Sequence, residues 1–163
     1  MVIGIDPSYT STGVAVMDNG KVVYTTKIES KIKVYESITN CQKAAATIIR
    51  GLQQVIAKYP LAEVIVEYPA IQSSGGAILG ILHGYLASFL NSTMHSVTYV
   101  PPTACDSWCK NKLHSKSFLV QYVKERGYVQ KRIQQDIATA IILCELHNAI
   151  QEGKYKNKSF RYE

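Results

Sequence analysis

The first thirty residues carry apolar runs broken by turn signals, a pattern that predicts three strands. VIGID (2–6) is a continuous apolar run closed by an acid, and TGVAVMD (12–18) is a second run. Asp18-Asn19-Gly20 is a hairpin signal, and KVVYTTKI (21–28) is the returning strand. From Lys33 to Lys58, residues Ile38, Cys41, Ala45, Ile48, Ile49, Leu52, Val55 and Ile56 keep helical spacing, and Pro60 closes the segment. AEVIVEY (62–68) reads as a β-branched strand, SSGGAILGILHGYLASFL (73–90) as a helix, and SVTYV (96–100) as a fifth strand stopped by Pro101-Pro102. Thr103 with Asp106 makes a capping-box-like start for a short helix, and Ser115 caps another over 116–126. A last helix fills 133–152. Strands, a crossover helix and further strands imply a mixed α/β sheet with helices packed on it. One domain over 1–153 is expected, followed by a basic, aromatic tail over 154–163.

Two helices carry unusual residues. In QQDIATAIILCELH (134–147), Ile137, Ala140, Ile141, Cys144 and Leu146 sketch an apolar face with Asp136 at its front. A carboxylate entering a buried stripe is costly unless a cation meets it. In the helix over 73–90, Gly76, Gly80 and Gly84 recur four apart, each costing about 1 kcal/mol against alanine. Such a face admits a close neighbour, either the protein's own sheet or the same helix of a second subunit.

Composition narrows the class. The chain has 163 residues, 47% hydrophobic and 18% charged, an ordinary balance for a folded domain. No apolar run is long enough for a membrane span, and the chain opens as a strand without a basic leader, so no membrane partner and a cytoplasmic location are expected. Cys41, Cys105, Cys109 and Cys144 form no disulfide framework, which agrees with a reducing compartment. The net charge is +6, and residues 102–163 hold 11 basic groups against 6 acidic ones. A basic half suits a polyanion such as nucleic acid, although a solvated basic surface explains the same count.

The candidate chemistry lies in three acids. Asp6 and Glu67 end two of the most apolar strands, both expected near the sheet centre. Two such carboxylates repel one another unless a cation lies between them. Asp136, on a helix packed against the sheet, supplies a third, and an all-oxygen set points to Mg²⁺ or Mn²⁺ rather than zinc. Each acid alone has a plainer reading: Asp6 before Pro7-Ser8 caps a turn, and Glu67 before Tyr68-Pro69 ends a strand in solvent. Taken together, in this order and on these elements, they favour a metal site.

These same stretches resemble the RuvC-like Holliday-junction resolvases of the ribonuclease H-like superfamily. VIGIDPSYTSTGVAV resembles the family's first-strand motif and VIVEYPA its second. HSKSFLVQYV resembles the segment with the catalytic lysine, and QQDIATAIILCELH the last acidic motif. The likeness spans nearly the whole chain, and its short, loosened motifs look most like the phage-encoded branch. It implies a ribonuclease H-like fold with a mixed five-stranded sheet flanked by helices. It also implies a homodimer that cuts four-way DNA junctions hydrolytically in recombination or phage DNA processing. Asp6, Glu67 and Asp136 would hold two Mg²⁺ or Mn²⁺ ions, with Asp6 bridging them, and Lys116 would offset charge on the scissile phosphate. Gly76, Gly80 and Gly84 fall where family members build the dimer interface.

The departures are specific. The family's last motif has a second acid three residues on, where this chain has Thr139, and Glu145 lies about 13 Å further down the helix. The aromatic three positions after the second acid is Ala70 here, and Tyr68 could stack on a junction base instead. Lys110, Lys112, Lys116, Lys124, Arg126, Lys131 and Arg132 bracket the acidic site and are expected to contact phosphates. Cys105, Cys109 and His114 lack a fourth ligand for zinc, and Trp108 reads equally as core or as a surface wedge. His147 reads as a helix-end residue. Three function classes stay open: a metal-dependent endonuclease for branched DNA, a branched-DNA binder with weak or lost cleavage, and an ATPase. A replication-restart or transposase-type nuclease of the same fold is a closer rival to the first, distinguishable by substrate. An actin-like or sugar-kinase-like ATPase needs two such domains, more than 163 residues hold.

Overall fold

A computed structural model describes residues 1–68, 76–111, 115–129 and 133–156. Five strands form one sheet in the order β3-β2-β1-β4-β5: β1 (Val2–Asp6), β2 (Ser11–Asp18), β3 (Lys21–Glu29), β4 (Glu63–Glu67) and β5 (Val97–Val100). The first three form an antiparallel meander, and β4 and β5 add in parallel with β1. Asn19 and Gly20 both take positive φ, 47° and 75°, the twist a tight hairpin between β2 and β3 demands.

Strand alternation sorts the interior into two layers. Ile3, Ile5, Val14, Val16, Val64 and Val66 face α1 (Ile38–Lys58) and α2 (Gly76–Asn91). Val2, Ala15, Met17 and Ile65 face α3 (Thr103–Cys109), α4 (Lys116–Glu125) and α5 (Gln135–Gln151). The predicted elements are present, with shifted ends. The helix expected from Lys33 begins at Ile38, because Ser37 is extended and its side chain accepts the Asn40 N–H; a 3-10 turn over Val34–Glu36 precedes it. Thr103 is no cap: Pro102 takes the N-cap position without a side-chain bond, and Asp106 turns instead to Asn111.

The final helix corrects a simpler expectation of one apolar face. From Ala138 to Cys144 every residue is buried, because α5 lies between the sheet and the α3–α4 pair. A helix covered on nearly all sides is apolar all round. His147 lies near the end of α5, as expected, and is buried there: it is 2% exposed, and its Nε2 lies 2.5 Å from Glu63 Oε2 at the start of β4. Trp108 is partly buried and packs against the layer that holds α5, its ring edge-on to Tyr155 with centroids 6.0 Å apart. All four cysteines are free and buried.

Gly80 and Gly84 of α2 do not receive the protein's own sheet. Leu82, Leu86 and Leu90 fill the buried face of α2, whereas a Cβ at Gly80 or Gly84 would meet nothing within 4 Å. Both glycines are exposed, beside the exposed ring of Tyr85. Among the described residues, no helix is long and apolar enough to cross a membrane.

Candidate active site

The sheet sets two acids side by side. β1 and β4 run parallel with Ile5 opposite Val66, so the next residues, Asp6 and Glu67, end neighbouring strands at the same edge. Adjacent strands are about 4.8 Å apart. Residues two apart share a sheet face. Asp6 therefore points the way of Gly4, and Glu67 the way of Ile65, both toward the α3–α4–α5 layer.

A third acid reaches this edge by close packing. Asp6 pairs with Gly13 on β2, and a Cβ on Gly13 would overlap the Asp136 carbonyl and come within 2.9 Å of Asp136 Cβ. The first turn of α5 thus rests directly on β2 at the residue opposite Asp6. One strand over and one turn down, a Cβ on Gly4 would overlap the Ala140 carbonyl and approach Cys144 Sγ to 2.9 Å. Glycines at 4 and 13 let the helix backbone sit on the sheet. Across the edge the order is Asp136 over β2, Asp6 on β1 and Glu67 on β4, a row about 10 Å long by strand spacing.

The Asp136 side chain has its own partner: the Ser11 hydroxyl donates to Oδ2. Ser11 is two residues before Gly13 and so shares its face of β2. Thr139, where the resemblance places a further acid, is 8% exposed and donates from Oγ1 to the Gln135 carbonyl at 3.2 Å. It offers no ligand in place of a carboxylate. Glu145 is remote from the row and accepts from Arg126 Nη2 at 2.7 Å and from Tyr122 OH at 3.1 Å.

Cys105 of α3 is buried and senses the charges of the row. Burial first, then the charge of Glu67, with Cys109, Asp6 and Asp106 behind it, pushes this thiol well above its ordinary range. The α3–α4 corner is clasped by Asn111, which is 4% exposed. Its Nδ2 donates to Asp106 Oδ1 at 2.7 Å and to the Ser115 carbonyl at 3.0 Å, and its Oδ1 accepts from Ser115 N at 3.2 Å. The clasp fixes where α4 starts, and Lys116 is the first residue of α4.

The expected phosphate contacts divide. Lys110, at the C-cap of α3 with φ 58°, and Lys124 on α4 are exposed. Arg126 is half-exposed but engaged by Glu145 and Tyr122, a structural tie between α4 and α5. Tyr68 is half-buried and extends the β4 ladder through its N–H to the Val100 carbonyl. Lys112, His114, Lys131, Arg132 and Ala70 lie outside the described residues, as does most of the basic tail.

In donor type, Asp6, Glu67 and Asp136 suit a hard divalent cation, and the backbone places them on one face of one edge. Among the described residues, no three His, Cys, Asp or Glu side chains close around a single point. Ser11, Gly13 and Asn111 received no role from the sequence. Their signal was faint: Ser11 and Gly13 sit at i and i+2 in the strand after an Asp-bearing strand, and Asn111 is a buried amide in a polar stretch.

Solved proteins share this architecture. RuvC of Thermus thermophilus superposes with a TM-score of 0.72 at 15% identity, covering 96% of this chain and 98% of that one. T. thermophilus RuvC in complex with a Holliday junction substrate gives 0.71 at the same identity and coverage. The Fowlpox virus resolvase, in complex with Holliday junction DNA, gives 0.53 at 16% identity, covering 91% and 99%. No protein-family model and no curated protein matches the chain. At such identities the likeness is one of fold, and the fold is the RuvC-type, ribonuclease H-like α/β sheet that the strand order describes.

Proposed function

We propose that this protein is a metal-dependent, structure-selective endodeoxyribonuclease that resolves four-way and related branched DNA junctions. The observation that carries the reading is the row Asp136–Asp6–Glu67 across three neighbouring positions of one sheet edge. Support comes from two neighbours of the same fold that were solved with junction DNA.

Asp6, Glu67 and Asp136 would hold Mg²⁺ or Mn²⁺, two ions per site, with Asp6 at the centre of the row. A bound pair of such ions supplies Lewis-acid polarisation of the phosphate and a more acidic water. The chain's own groups do the rest. Lys116 sets a positive charge beside the scissile phosphate as it gains charge. Lys110 and Lys124, with Lys112, Lys131 and Arg132, draw in the DNA backbone without reading bases. Tyr68 supplies an aromatic face at the end of β4 for a junction base. The glycine face of α2, open at Gly80 and Gly84 and expected to include Gly76, joins two copies so that paired sites meet a two-fold symmetric junction.

A labelled synthetic four-way junction, incubated with the protein in Mg²⁺, in Mn²⁺ and in EDTA, tests the reading. Paired symmetric nicks that need the metal are the expected result. One feature favours a second reading: Thr139 is turned into its own helix and adds no charge to the site. Tight junction binding without cuts in either metal would make the protein a junction binder.

A further inference from the structure

We propose that Ser11 is a positioning residue for Asp136, holding the third carboxylate of the row in place of support from a second acid on the same helix. This inference rests on the metal-site reading above. Asp136 sits in the first turn of α5, where the N-cap residue Gln134 makes no side-chain cap. Its backbone is fixed by contact with Gly13, but a short carboxylate still rotates about two torsions. Among the described residues, the Asp136 carboxylate accepts a side-chain hydrogen bond from the Ser11 hydroxyl, at Oδ2.

The placement of Ser11 is not incidental. β2 alternation puts Ser11 and Gly13 on the face that α5 covers, and Gly13 is the cross-strand partner of Asp6. One short segment thus sets the helix height through Gly13 and the carboxylate rotamer through Ser11. A hydrogen bond to a ligand carboxylate orients the oxygen left for the cation, and loss of such a partner commonly weakens metal binding 10–100-fold. Where a second acid is absent, as at Thr139, fewer groups restrain the ion, and the rotamer of Asp136 weighs more.

The test measures Mn²⁺ affinity by the electron paramagnetic resonance of free Mn²⁺, on the full chain without DNA. Ser11→Ala is expected to weaken binding by about tenfold. Ser11→Thr, which keeps the hydroxyl, stays within about threefold of wild type, and its isostere Ser11→Val matches the alanine variant. In an Asp136→Asn background, removing the Ser11 hydroxyl should change nothing further. The Thr–Val pair carries the comparison if the alanine variant does not fold. Wild-type affinity in Ser11→Val, or an equal loss with and without the Asp136 carboxylate, overturns the role of Ser11. Asp6→Asn separates the two ideas. If it too leaves Mn²⁺ affinity unchanged, the metal site fails and Ser11 with it; if it abolishes binding while Ser11→Val does not, only the Ser11 inference falls.

Discussion

Gly13 and Asp136 are in direct backbone contact: a single added methyl at Gly13 would occupy the space of the Asp136 carbonyl. Gly13→Ala should therefore lift the first turn of α5 off β2. Overpacking of this kind costs about 1–3 kcal/mol, so urea denaturation should show a destabilised but folded protein. Junction cleavage should fall further than junction binding, since the displacement acts on the acid and not on the exposed lysines. Full stability in the alanine variant would mean that α5 does not rest on β2 at Gly13.

Asp6→Asn and Glu67→Gln each remove one charge from adjacent strand ends. Each should lower cleavage by at least about a hundredfold, with junction affinity equal to wild type or better because a repulsive carboxylate is gone. Gel-shift and single-turnover cleavage on the same junction separate the two effects. Near wild-type cutting by either variant rules out the metal assignment.

Arg126 and Lys124 lie two residues apart and should behave differently. Arg126 bonds Glu145, whose side chain is 11% exposed, so Arg126→Ala leaves that carboxylate poorly compensated. A loss of about 1–3 kcal/mol is expected, below the cost for a fully buried pair because Arg126 is half-exposed. Lys124→Ala should leave stability within about 0.5 kcal/mol while lowering junction affinity and flattening its salt dependence. Titrating affinity against salt for both variants, alongside denaturation, checks the division.

His83 on α2 supplies a pH signature. Burial depresses its pKa from 6.5 to about 4, so between those values the unfolded chain binds the proton that the folded chain refuses. Stability from this group is complete above pH 6.5 and is lost as pH falls toward 4. At pH 5 the loss is about 1–2 kcal/mol after allowance for partial exposure. His83→Gln should remove that part of the acid sensitivity, measured as the difference between the two proteins in urea at pH 7.5 and pH 5. Parallel pH profiles would show that the ring is solvated.

Gly80 and Gly84 stand on an open helix face. Gly84→Ala should raise the stability of an isolated chain by about 1 kcal/mol, because nothing opposes the methyl and helix propensity improves. Gly84→Leu should keep the fold and shift the mass in solution from dimer to monomer, read by light scattering. A wild-type monomer at working concentration would remove the proposed partner surface.

The five strands, the crossover helix and the hairpin at Asn19-Gly20 were legible in sequence because they follow from local periodicity and turn chemistry, which act over a few residues. Asp6, Glu67 and Asp136 stood out as acids at the ends of apolar runs, which is also local. Tertiary structure alone decided what those acids face. Strand order puts β1 beside β4, alternation aims Asp6 and Glu67 toward α5, and bare backbone at Gly4 and Gly13 lets that helix settle onto the sheet. It also buried α5 on nearly every side, seated His147 against Glu63, tied Arg126 to Glu145 and brought Ser11 to Asp136 across 125 residues of chain. Sequence spacing encodes which side of its own element a residue occupies. Which element covers that side is set by the packing of the whole chain, through contacts that no short window contains.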